Sequence, residues 1–186
     1  MGRSALLVMA YLGCLKAGLC YLPLDKALPA ARLRVMAQSA SCMLFLTAGQ
    51  CPLANEVECI DLVINGDILI STPVVGSFPS LNHDTACCIL FTSGSTGVPK
   101  GIVVEHRGML NLCAPGYTQW PGRLRNAFSN GISFDPSGFQ IFSSLLTAAS
   151  LYCFEDEGVF DGLAFIRFLL DFGEHWHPSL QVHAYN

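Results

Sequence analysis

Apolar and polar positions fall into blocks along the chain, helical stripes followed by short unbroken apolar runs. Ser4 stands as a cap before Leu6, Leu7, Met9, Ala10 and Leu15, a spacing that predicts a helix stopped by Gly18. Cys20 to Leu24 follows as a short β-like run closed by Pro23. Pro29 sits where a first helical turn accepts it, and Leu33, Met36 and Ala37 take helical spacing over Ala30 to Ser39. Cys42 to Thr47 then reads as a buried strand. The stretch Ala48 to Asp84 is broken by Pro52, Gly66, Pro73, Gly76 and Pro79. It reads as connecting structure, with short strands at Val57 to Ile64 and Ile68 to Ile70.

From Ala86 the pattern sharpens. ACCILFT is an unbroken apolar run, SGSTGVPKG follows at once, then IVVE, then a helix from about His106 to Cys113. Asn126 to Ser129 and Ser150 to Phe154 read as strands, Gly138 to Ala148 and Val159 to Phe172 as helices. The alternation predicts an α/β fold with layered helices on a mostly parallel sheet. No repeat, low-complexity tract or linker divides the chain.

Composition narrows the classes. Of 186 residues, 52% are hydrophobic and 13% charged, which excludes long disorder and suggests a surface partly covered by something else. The net charge is −4 and no Lys or Arg lies between Arg34 and Lys100, so no cationic stripe is present to track nucleic acid. The uncharged stretch Pro136 to Phe154 carries Gln140, Ser143, Ser144, Thr147 and Ser150 and argues against a membrane span.

The nine cysteines, at positions 14, 20, 42, 51, 59, 87, 88, 113 and 153, include no C-x-x-C pair. Buried, reduced thiols in a cytoplasmic protein are the expectation. The alternative is a secreted, disulfide-bonded binding protein, because Arg3 ahead of the apolar run Ala5 to Leu15 imitates a signal peptide. His175, His177 and His183 lack carboxylates or thiols at ligand spacing, so no metal site is expected, and Glu155 to Glu157 reads as a solvated turn.

Thr92 to Gly101, TSGSTGVPKG, is where the chemistry concentrates. Its glycines let the backbone turn several N–H groups inward, its hydroxyls add donors, and Lys100 adds a positive charge. Those are the groups a polyphosphate needs. The spacing matches neither G-x-x-x-x-G-K-[ST] nor G-x-G-x-x-G.

The stretch ILFTSGSTGVPKGIVVEHRGMLNL resembles the phosphate-loop motif of the adenylate-forming enzymes, and within them the adenylation domains of non-ribosomal peptide synthetases. LKAGLCYLPLDKALPAARLRVM, from Leu15 to Met36, and ISFDPSGFQIFSSLLTAASLY, from Ile132 to Tyr152, are similar to two further motifs of that family, in the same order. The resemblance implies part of the family's large N-terminal subdomain. It implies activation of an amino acid by ATP with Mg²⁺, then transfer to a phosphopantetheine thiol on a carrier domain, with condensation domains as further partners. Thr92, Ser93, Gly94, Ser95, Thr96, Gly97 and Lys100 match the segment that holds the ATP phosphates.

Asp135 matches the aspartate that pairs with the substrate's α-ammonium, in an apolar setting of Ile132, Phe134 and Phe139, and its alternative role is a helix N-cap. Pro136 and Phe139 match side-chain-selecting positions, while His106 and Arg107 match a segment assigned to helix-start packing. The family's metal-holding glutamate, ribose-binding aspartate and small C-terminal subdomain have no counterpart here, so no catalytic set is complete. The resemblance covers residues 4–172 as a partial adenylation domain and leaves 173–186 as a divergent tail. An acyl-CoA or aryl-CoA ligase fragment, and an inactive remnant, are the alternatives.

Overall fold

The computed structural model describes residues 1–49, 51–64, 67–68, 77–93, 99–114, 125–154, 162–163 and 166–167. Helix α1 (Ala5–Lys16) begins where Ser4 accepts a hydrogen bond from the Leu7 amide at 3.2 Å. Gly18, with φ +75°, ends it, and the amides of Gly18 and Leu19 bond back to the Leu15 and Cys14 carbonyls at 3.0 and 2.9 Å. Leu7, Val8, Ala10 and Tyr11 are buried, and the Arg3 side chain bonds the Phe154 carbonyl at 2.7 Å. The Cys20 to Leu24 run forms a single parallel bridge, Tyr21 to Cys88, rather than a strand.

Helix α2 (Ala30–Ser39) takes Pro29 as its N-cap, one position before the expected first turn, and buries Leu33, Met36 and Ala37. Strands β1 (Leu44–Thr47) and β2 (Glu58–Asp61) pair in parallel. The expected buried strand from Cys42 is shorter and more open: only Phe45 is buried, because this two-stranded sheet meets α2 on one face only. Strands β3 (Val63–Ile64) and β4 (Asp67–Ile68) pair antiparallel.

Strands β5 (Ala86–Thr92) and β6 (Lys100–Glu105) form an antiparallel hairpin, and α3 (His106–Leu112) follows directly. Strand β7 (Arg125–Phe128), helix α4 (Asp135–Leu146) and strand β8 (Ser150–Cys153) complete the described elements, with β7 and β8 parallel. Helix α4 starts three residues before the sequence expectation, since Phe134 is extended at the N-cap and Pro136 suits the first turn. Of the expected helix Val159 to Phe172, residues 162–163 and 166–167 are helical and the rest lies outside the described residues.

The architecture is therefore α/β, with helices and parallel sheet pieces. Its main core joins α1, β5, α3, β7 and α4 through Tyr11, Cys88, Met109, Phe128 and Ile141. A smaller core gathers Leu33, Ala37, Phe45 and Leu53. Cys14, Cys20, Cys42, Cys51, Cys59, Cys87 and Cys88 carry free thiols, yet of the nine cysteines only Cys87, Cys88 and Cys113 are buried; Cys20 is exposed and the others lie at the rims of these small clusters. Among the described residues no helix is long and apolar enough to cross a membrane.

Candidate functional site

The β5–β6 hairpin delivers the two ends of the glycine-rich segment to one place. Thr92 and Lys100 are register partners at the open end of the ladder, and both are exposed, as is Ser93. Gly94, Ser95, Thr96 and Gly97 lie outside the described residues. Gly101 has a packing reason. A Cβ there would come within 3.1 Å of the Phe91 ring and 3.3 Å of Ile89 Cγ2, so those side chains would have to give by a few tenths of an ångström to admit one.

Asp135 is the first residue of α4 and stands exposed at its N-terminal end, where a carboxylate is favoured. The alternative N-cap role falls to Phe134, which offers no side-chain bond. The expected apolar setting is only half present: Ile132 is buried, but Phe134 is 63% exposed. Pro136 and Phe139 are half-buried beside it.

Three contacts hold this turn. Ser133 donates to the Pro23 carbonyl at 3.1 Å, Ser137 to the Ile132 carbonyl at 3.2 Å, and Gly138 lets Met109 of α3 approach, its Cε 2.9 Å from where a Cβ would stand. Both arms of the site are anchored in the main core, β5 through Cys88 and α4 through Ile141. The contact with Cys87, then burial, hold the Cys88 thiol above its usual range, and the Asp135 charge adds to that effect.

Gln140 and Ser144 are positioning residues that the sequence reading counted only as obstacles to a membrane span. The Gln140 side-chain oxygen accepts from the Ser129 and Asn130 amides, both at 3.2 Å, and so fixes the segment leading to Asp135. The Ser144 hydroxyl donates to the Gln140 carbonyl at 2.5 Å and accepts from the Asn126 amide at 2.8 Å. The available signal was four polar residues inside one apolar helical stripe, all now buried: Ser137, Gln140, Ser143 and Ser144. Among the described residues no group of three acidic, histidine or cysteine side chains could hold a metal ion. His175, His177 and His183 lie outside the described residues.

Comparison with known proteins finds relatives over most of the chain. Surfactin synthase subunit 2 of Bacillus subtilis (strain 168) is 37% identical over 173 residues, which are 90% of this chain and 5% of that protein. Cyclosporin synthetase of Tolypocladium inflatum is 34% identical over 166 residues, 87% of this chain and 1% of its own length. The N-terminal subdomain of Klebsiella oxytoca NpsA, solved with 3-hydroxyanthranilyl-AMSN, superposes with a TM-score of 0.77 at 27% identity. That match covers 90% of this chain and 42% of the other. PA1221, an NRPS protein containing adenylation and PCP domains, superposes at 0.75 and 26% identity over 93% of this chain and 30% of its own. The chain thus spans a small part of the synthetases it matches and less than half of the solved NpsA subdomain. The model of the AMP-binding enzyme family matches residues 1–175, and the chain belongs to that family, with its similarity to the adenylation domains of non-ribosomal peptide synthetases.

Proposed function

We propose that this chain supplies the phosphate-binding hairpin and the amine-pairing aspartate of a domain that activates an amino acid as its adenylate for peptide synthesis. The observation that carries the reading is the placement of Thr92, Ser93 and Lys100 at one open hairpin end, with Asp135 on the first turn of a helix that shares the main core with the first strand of that hairpin. Hydroxyl donors and a cation suit the charge of the β- and γ-phosphates, and the loop residues Gly94 to Gly97 would add amides. ATP supplies the α-phosphate that the substrate carboxylate attacks, with pyrophosphate leaving. Lys100 and the hydroxyls hold the leaving end, while Asp135 fixes the substrate through its ammonium group and so orients the carboxylate. Mg²⁺, when bound, would add positive charge at the phosphates.

In this reading residues 4–172 form the partial domain and 173–186 a divergent tail. Its partners are the carrier domain bearing phosphopantetheine and the condensation domains of a larger synthetase. The free thiols support a cytoplasmic setting. Activation of an aryl acid is the second reading, favoured by the NpsA structures held with 3-hydroxyanthranilyl-AMSN and 3-hydroxybenzoyl-AMSN.

Calorimetry tests both. ATP should bind the chain, and Lys100→Ala should weaken it several-fold; equal heats would end the phosphate role. Asp135→Ala should weaken an aminoacyl-adenylate analogue by roughly tenfold and leave an aryl analogue unchanged. Equal loss of both, or of neither, defeats the amine-pairing role. The chain alone should not exchange labelled pyrophosphate into ATP, since no catalytic set is complete in it.

A further inference from the structure

The backbone between α1 and α2 runs from the strand of the phosphate hairpin to the turn that carries Asp135. The Tyr21 amide donates to the Cys87 carbonyl at 3.2 Å, and the Tyr21 carbonyl accepts from the Ile89 amide at 3.0 Å, so this strap is bonded alongside β5. The Tyr21 ring stacks on Tyr11 of α1, with centroids 4.1 Å apart and planes 17° apart, and both rings are buried. Pro23 follows, buried, with a ring-fixed φ and a carbonyl as its one backbone hydrogen-bonding group. That carbonyl accepts the Ser133 hydroxyl at 3.1 Å, across 110 positions of sequence.

Ser133 lies two residues before Asp135, in a turn where the Phe134 amide donates to the Gly131 carbonyl at 3.0 Å and the Ser137 amide to the Phe134 carbonyl at 2.9 Å. Ser137 braces the turn locally, its hydroxyl reaching the Ile132 carbonyl five residues back. Ser133 does something else. Its bond ties the turn to the strap on β5, and β5 ends at Thr92, the register partner of Lys100.

We propose that Ser133 is a positioning residue for substrate selection, whose bond to Pro23 holds Asp135 where its carboxylate meets the α-ammonium of an amino acid. The proposal rests on the amine-pairing reading of Asp135, and Ser133 acts through that carboxylate rather than on the substrate itself. An exposed carboxylate gains little from an ammonium partner when binding must also order the turn beneath it. Phe134 gives the helix start no capping side chain, so the turn takes this restraint from outside the helix. With the bond in place, Asp135 keeps a fixed relation to the phosphate end of the hairpin. Without it, the turn follows α4 alone.

Calorimetry on the full chain screens the sulfamoyladenosine analogues of the common amino acids. The tightest serves as the probe, beside its des-amino counterpart in which hydrogen replaces the α-ammonium. The wild-type chain should prefer the amine-bearing probe by roughly tenfold. Ser133→Ala should cut that preference to about twofold, with the des-amino probe bound as before. Ser133→Thr keeps the hydroxyl and should keep the preference, whereas Asp135→Ala should abolish it. Adding Ser133→Ala to Asp135→Ala should cost nothing more, because one residue acts through the other. A Ser133→Ala chain that weakens both probes alike, or neither, would overturn the proposal and leave the role of Asp135 standing. A wild-type chain that binds neither probe, or both equally, would overturn the reading of Asp135 and the proposal with it. Should Ser133→Ala fail to fold, Ser133→Val beside the isosteric Ser133→Thr makes the same comparison.

Discussion

The main core and the smaller core solve the same problem with different chemistry. In the main core, buried polar groups lie inside the packing: Gln140, Ser143 and Ser144 sit among Phe128, Ile141 and Phe142, with partners for their hydrogen bonds. In the smaller core, Leu33, Ala37, Phe45 and Leu53 are apolar, and a polar contact lies at the rim as the Arg34–Glu56 pair. The first arrangement depends on close packing around bonded polar groups, which solvent conditions barely reach. The second answers to acid and salt. The region that positions the candidate site is thus the one insulated from its surroundings.

Truncation at the two centres gives the largest test. Phe128, fully buried, should lose about 3–5 kcal/mol of unfolding free energy as Phe128→Ala. Phe45→Ala, at the edge of a four-residue cluster, should lose clearly less in the same urea titration. Equal losses would erase the distinction between a dominant core and a satellite.

Polar satisfaction comes next. Ser144→Ala removes the partner of the Asn126 amide in a buried position and should cost about 1–3 kcal/mol. Because the same hydroxyl braces the helix carrying Asp135, binding of an aminoacyl-adenylate analogue should weaken along with stability. A neutral result would mean that water replaces the hydroxyl.

Helix ends give a smaller effect of opposite sign. Helices α1, α2 and α4 all stop on a left-handed residue, namely Gly18, Ser41 (φ 51°) and Ala148 (φ 55°). The amides beyond Ser41 and Ala148 bond back to Ala37 and Ser144, both at 2.9 Å. Ala148→Gly should therefore raise stability by about 1 kcal/mol, measured by thermal unfolding. Gly18→Ala should lower it, since the new Cβ also meets Pro79 Cγ at 2.8 Å.

The rim ion pair gives the smallest effect and the clearest pH signature. The hydrogen bond from Arg34, reinforced by its charge, holds the Glu56 carboxyl below its ordinary 4.5. A carboxyl lowered on folding adds stability that is present above 4.5 and lost as pH falls through the folded value. Hydrogen exchange in the 51–57 turn should therefore quicken below that pH, and earlier in high salt, than in the main core. Arg34→Ala should abolish the difference.

Much of the fold was legible along the chain. Ser4, Gly18 and the spacing of Leu33, Met36 and Ala37 act within a few residues, and the structure uses them as read. The start of α4 was misplaced because Asp135 and Pro136 were weighed for chemistry and Phe134 offers no capping side chain. Ser41 and Ala148 carried no stop signal, since tertiary packing imposes their left-handed backbone. Within the site, Thr92, Lys100 and Asp135 announced themselves by residue type. Gln140 and Ser144 did not, because a buried polar side chain looks like an interrupted stripe until its partner is known.

By itself, the sequence determined the order of helices and strands, the glycine-rich segment and the family, because caps, spacing and motifs are written in neighbouring residues. Only the tertiary structure decided that β5 and β6 run antiparallel so that Thr92 faces Lys100. It also decided that Asp135 stands exposed and that Asn126 finds Ser144. Those outcomes come from strand pairing and chain reversal, which bring together residues that no local periodicity relates.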